Sequence, residues 1–68
     1  MQGVMRWFSF ERGYGFVAPD DGSKDVFVHV TSVDQSGLDT LAEGDKIEFE
    51  VAADLNGRVQ ARNLRRVA

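Results

Sequence analysis

Two runs, Arg12-Gly13-Tyr14-Gly15-Phe16-Val17 and, nine residues later, Val26-Phe27-Val28-His29-Val30, decide how the chain is read. Successive side chains of a strand point to opposite faces. Tyr14 and Phe16 therefore share one face, and Phe27 and His29 share another, with Val26, Val28 and Val30 behind them. Gly13 and Gly15 are read as keeping the aromatic face open. The valine face suits a core, whereas the other face of a half-buried strand is ordinarily polar. A face showing Tyr, two Phe and His is either covered by more chain or left bare to bind something. Sixty-eight residues bury one modest core and do not supply a second layer to cover it. Exposed aromatic clusters mark binding sites, and rings on a strand have the shape that stacks unpaired bases.

The length is that of a single domain, residues 1–68, near the lower end of what folds without staples. The absence of Cys excludes a disulfide framework and a thiolate metal site. A single His and only a fragment of a calcium-loop pattern, Asp20-Asp21-Gly22, argue against a metal ion, and no other cofactor is expected. One His, no Cys and no convergent carboxylate pair leave nothing to run acid–base or nucleophilic chemistry, so an enzyme is the poorest class. No apolar run reaches membrane-spanning length, and residues 1–15 lack the pattern of a secretory signal. A cytoplasmic protein with no membrane partner is expected.

The net charge of −3 has the wrong sign for a protein that simply coats phosphates. Its distribution is uneven. Residues 31–54 hold seven acidic side chains and one basic, while residues 55–68 hold four Arg and no acid. Glu43, Asp45, Glu48 and Glu50 read as a solvated strand face. Arg62, Arg65 and Arg66 read as a soluble tail offsetting it. If nucleic acid is the ligand, stacking must supply more of the affinity than phosphate neutralisation does.

Gly3 to Phe10 reads as a first strand. Strict alternation puts Trp7 opposite Arg6 and Phe8, so either one of the adjacent aromatics is buried or a bulge near Trp7 turns both outward. Glu11-Arg12-Gly13 turns into a second strand, Tyr14 to Ala18, ended by Pro19. Asp20-Asp21-Gly22-Ser23 turns into a third, Asp25 to Val30. Residues 31–44 read as a long loop with one helical turn near Thr31-Ser32-Val33, anchored by Val33 and Leu41. From Asp45 to Ala52, Ile47, Phe49 and Val51 alternate with Lys46, Glu48 and Glu50, a strand with one buried face. Asn56-Gly57 fits a two-residue hairpin loop, and a last strand runs from Arg58 to about Leu64, leaving residues 65–68 to fray. The expected fold is all-β, a five-stranded antiparallel barrel of the OB type, whose binding face is built by strands two and three.

The segments Arg6-Trp7-Phe8, Arg12-Gly13-Tyr14-Gly15-Phe16-Val17, Asp25-Val26-Phe27-Val28-His29 and Leu41-x-Glu43-Gly44-Asp45 together resemble the bacterial cold-shock proteins over essentially the whole chain. The second segment also fits the ribonucleoprotein consensus of the RRM. There, however, the motif order is reversed and helices separate the strands. The cold-shock resemblance implies a protein that binds single-stranded RNA and DNA with little sequence preference, acting as an RNA chaperone, a transcription antiterminator and a regulator of translation. It implies stacking residues at Trp7, Phe8, Tyr14, Phe16, Phe27 and His29, and basic contacts at Arg6 and Arg12. Asp25 matches a position whose carboxylate accepts a hydrogen bond from a base. Val30 and Leu38 stand where many members carry further aromatics, so two platforms are weakened. Phe10 is an additional aromatic near the first turn, and Arg58 is a candidate phosphate contact. A monomer is expected. The competing reading is an OB-type module that grips a protein or an oligosaccharide with the same rings.

Overall fold

The computed structural model describes residues 1–53 and 56–67. Five strands, β1 (Gln2–Ser9), β2 (Tyr14–Pro19), β3 (Val26–His29), β4 (Lys46–Ala53) and β5 (Val59–Arg66), and one short helix, α1 (Val30–Gln35), follow one another along the chain. The strands close into a barrel in the order β1-β2-β3-β5-β4. Four of the five pairings are antiparallel, but β3 and β5 meet in parallel, through the single pair Phe27 and Gln60. The all-antiparallel expectation is corrected here for a topological reason. Directions cannot alternate all the way round a ring with an odd number of strands, so at least one seam must be parallel.

The interior is filled from every strand, by Met5, Val17, Val26, Val28, Ile47, Phe49, Ala61 and Leu64, and is closed by Val33 of α1 and by Leu41. Both loop anchors expected from the sequence are therefore buried. Val51 is not: it stands 43% exposed, because the end of β4 runs past the core to the mouth of the barrel. There it lines a hollow of about 400 Å³ with Met1, Pro19, Val26 and Val59.

Two bulges shape the ring. In β1 the register slips between Met5 and Trp7, so that two residues face one on β2. Alternation is broken there, and Trp7 joins Arg6 on the outside while Phe8 swings inward to pack against the core. The structure combines the two alternatives read from the sequence: the bulge forms, but it turns only Trp7 outward, and Phe8 is the aromatic that packs inward. Gly15 explains where Phe8 goes. A Cβ at this position would lie 2.7 Å from Phe8 Cα, 2.6 Å from Phe8 Cδ2 and against the Trp7 carbonyl oxygen. Gly15 accordingly clears the inner face for Phe8 rather than the outer face for Tyr14 and Phe16, correcting the earlier reading. The second bulge lies in β5, where Asn63 takes φ +52° opposite the step from Glu48 to Glu50. Asn tolerates this left-handed conformation better than most side chains. The freed N–H of Leu64 donates to Ser36 Oγ at 2.8 Å, so the residue that caps α1 also satisfies the bulge.

Helix α1 is capped by His29 at its start and by Ser36 at its end, and the positive φ of Gly37 just beyond allows a two-bond stop signal. Gly37 N–H donates to the Asp34 carbonyl and Leu38 N–H to the Val33 carbonyl. Leu38 is carried onto the core by this turn, half-buried, instead of standing clear as a ring platform would. In the β2–β3 turn, the hydroxyl and N–H of Ser23 both donate to Asp21, and these bonds hold the Asp21 carboxyl below its ordinary range. The β4–β5 connection is longer than the two-residue hairpin expected, since Ala53 pairs with Val59 and leaves residues 54–58 between them. Part of that loop, residues 54 and 55, lies outside the described residues. Arg65 and Arg66 belong to β5, and Val67 N–H is tied to the Lys46 carbonyl at 3.0 Å, so the expected fraying does not begin at residue 65.

Candidate nucleic-acid interface

The register of β2 on β3 sets Tyr14 opposite His29 and Phe16 opposite Phe27. All four side chains emerge on the outer face while Val17, Val26 and Val28 fill the inner one. They are half-buried and lie against one another. Tyr14 stacks on Phe27 at 5.6 Å and 18°, Phe16 meets Tyr14 and Phe27 edge-on at 6.1 and 5.9 Å, and His29 lies 6.1 Å from Phe27. The β1 bulge brings Trp7 to the same cluster, 5.4 Å from Tyr14, with 40% of its surface exposed. Such offset and edge-on pairs orient the rings relative to one another, and the rings keep part of their surface open to solvent.

His29 is fixed by its own chain. Its Nδ1 accepts the N–H of Thr31 at 3.2 Å and lies 2.9 Å from Thr31 Oγ1, capping α1. An accepting Nδ1 puts the neutral ring's proton on Nε2. The cap was not legible in the sequence, because His is not among the preferred N-cap residues.

The charged candidates separate. Arg6 Nε is 3.2 and 3.1 Å from the two carboxylate oxygens of Asp25. Asp25 therefore orients Arg6, while Asp21 holds the β2–β3 turn. Arg12 is exposed in the β1–β2 turn, where its backbone N–H donates to Ser9 Oγ at 3.1 Å. Arg58 is exposed in the β4–β5 loop. Phe10 is 45% exposed and packs edge-on against Phe8 at 4.7 Å, at the rim. Val30 is half-buried as the first residue of α1, its N–H bonded to the Gly13 carbonyl at 2.9 Å. The structure thus joins Trp7, Tyr14, Phe16, Phe27 and His29 into one surface, edged by Arg6. It leaves Phe8 and Leu38 packed against the core.

The acidic block and the terminal arginines meet across β4 and β5. Arg65 pairs with Glu48 at 2.8 Å, Arg66 with Asp45 at 3.4 Å and Arg62 with Glu50 at 3.9 Å, while Lys46 holds Asp20. Most of this basic charge is therefore spent on the protein itself. Among the described residues there is no cluster of three or more metal-ligating side chains, and no helix is long and apolar enough to cross a membrane.

Comparison with known proteins agrees with this geometry. Residues 1–67 match the family model of the 'Cold-shock' DNA-binding domain. The chain is 54% identical to probable cold shock protein A of Mycolicibacterium smegmatis over 82% of its own length and 84% of that protein's. It is 46% identical to cold shock-like protein CspE of Escherichia coli, over 84% and 83% respectively. A similar match, 45% identity over 88% of this chain, covers only 28% of glycine-rich protein 2 of Nicotiana sylvestris. With its ring of five strands and its outward cluster of aromatics, the chain belongs to the nucleic-acid-binding cold-shock domain family.

Proposed function

We propose that this protein binds single-stranded RNA and DNA by stacking unpaired bases on Trp7, Tyr14, Phe16, Phe27 and His29, and so acts as an RNA chaperone and transcription antiterminator. The observation that carries the reading is the partly exposed ring cluster on the outer face of β2 and β3. Stacking on aromatic side chains contributes on the order of 1–3 kcal/mol per base and tolerates any sequence, because every base has a π-face. The mechanism is passive. Ligand that binds only the unpaired state shifts a transcript toward that state by mass action, with no nucleotide hydrolysis. Duplexes are excluded because pairing hides the faces that the rings require.

Arg6 and Arg12 supply the phosphate contacts at this face, and the protein works as a cytoplasmic monomer. The closed ring supports the monomer, since each strand already lies between two others. Trp7 emission tests the whole reading. It should quench on titration with uridine-rich single strands and stay unchanged with the same sequence as duplex or with oligosaccharides. Quenching by sugars and not by oligonucleotides would transfer the site to the oligosaccharide class.

A further inference from the structure

A second feature adjoins the ring cluster. Between α1 and the β4–β5 hairpin lies an open groove of about 270 Å³, lined by Thr31, Ser32, Gln35, Gln60 and Arg62, with two alanines making up the rest. Two links tie it to the rings: Gln60 is the β5 partner of Phe27, and Thr31 is bonded to His29 Nδ1. Its lining is hydroxyls, amides and one guanidinium, with no ring. Such a surface cannot stack a base, but its donors suit the anionic oxygens of a sugar–phosphate backbone.

The three β5 arginines that pair across to β4 differ in how firmly they are held. Arg65 sits 2.8 Å from Glu48, and Arg66 donates to both the Thr40 carbonyl and Asp45. The approach of Arg62 to Glu50, at 3.9 Å, is the longest ion pair among the described residues. The same Glu50 oxygen takes a 2.7 Å hydrogen bond from Asn63 Nδ2, which the left-handed bulge aims at it. Arg62 is the arginine of this set that lines the groove, and its side chain is 61% exposed.

We propose that this groove carries the phosphodiester following the base that lies at the Phe27–His29 end of the ring cluster, with Arg62 as its cation. The proposal rests on the reading of the ring face as a base platform. The bound strand leaves the rings past His29, crosses the single-pair seam between β3 and β5, and sets its backbone against Arg62 and the hydroxyls of Thr31 and Ser32. Glu50 opposes it and lowers the affinity of the groove. Asn63 positions that carboxylate.

The test compares a uridine tetranucleotide with an octanucleotide, both followed by Trp7 quenching. A tetranucleotide settles on the rings, because stacking outweighs one exposed phosphate contact, while an octanucleotide is long enough to run on into the groove. Arg62→Gln should leave tetranucleotide affinity unchanged and weaken octanucleotide binding about three- to fivefold, the size of an exposed charge contact. The slope of log affinity against log salt for the octanucleotide should become shallower by about 0.7, the value for one phosphate on a single strand. Arg62→Lys should restore most of the loss, and Glu50→Gln should tighten octanucleotide binding alone. Equal binding of the octanucleotide by parent and Arg62→Gln overturns the proposal, as does an equal loss for both lengths. Failure of the tetranucleotide to quench the parent protein would instead remove the ring platform on which the proposal stands.

Discussion

Phe16 and Phe27 face each other across β2 and β3 with ring centroids 5.9 Å apart, so replacing both by Ala removes the centre of the binding surface in one step. Each base–ring stack is worth about 1–3 kcal/mol on truncation, and two independent losses would give about 2–6 kcal/mol. They are not independent, because each ring supports the other and removing the first already loosens the second. A combined loss of about 3–4 kcal/mol is therefore expected, which is two to three orders of magnitude in affinity at roughly 1.4 kcal/mol per factor of ten. Stability should fall much less. Both rings are half-buried on the outer face, so no core cavity opens, and the lost ring pair is worth about 0.5–1.5 kcal/mol beyond its area. Phe49→Ala is the control, since Phe49 is 1% exposed and its removal should cost about 3–5 kcal/mol of folding stability. Fluorescence titration with a uridine octanucleotide reads the affinity, and the nearest ring to the Trp7 reporter, Tyr14, is retained. Parent-like affinity in a double variant that melts as a folded protein would refute the stacking mechanism.

Three further outcomes follow from the geometry. With Arg6, Arg12 and Arg62 as the available cations, log affinity for a long single strand should fall against log salt with a slope of about −2. A slope near about −3.5 would mean that Arg65 and Arg66, although paired with acids, bind phosphate as well. Gly15→Ala places a Cβ 2.7 Å from the backbone of Phe8, and this overpacking should cost about 1–3 kcal/mol, visible as a thermal midpoint lowered by roughly ten degrees. An unchanged midpoint would contradict the packing of Phe8 over Gly15. Asn63→Ala should destabilise by about 1–2 kcal/mol because of the positive φ at that position, whereas Asn63→Gly should stay near parental. Chemical denaturation of the pair distinguishes backbone strain from the lost bond to Glu50.

Much of the interface was legible because strand alternation is a local rule. Tyr14 with Phe16, and Phe27 with His29, share faces whatever the rest of the chain does. The same parity already placed Gly13 and Gly15 on the opposite side from the rings, so their purpose could have been read correctly from sequence. Phe8 could not be placed, because the bulge that breaks alternation in β1 depends on which residues of β2 and of the loop pair with it. Met5 exchanges backbone hydrogen bonds with Gly44 and Asp45, partners some forty residues away. Leu38 could not be placed either, because its position depends on the helix stop at Gly37. The arginines of residues 62–66 looked like a tail because β5 was ended too early; its pairing with the acidic face of β4 appears only when the two strands are set in register. The parallel pairing, in contrast, was available from counting alone.

That parallel pairing has a consequence for motion. A cylinder of strands breathes where its stitching is thinnest, and here one residue pair, Phe27 with Gln60, joins β3 to β5, whereas β4 and β5 share six. Amide exchange should accordingly be fastest along this join and slowest in the hairpin facing it. Since Phe27 belongs both to the join and to the ring cluster, an occupied cluster holds the cylinder shut at its most easily opened place, and ligand protection against exchange should be greatest there.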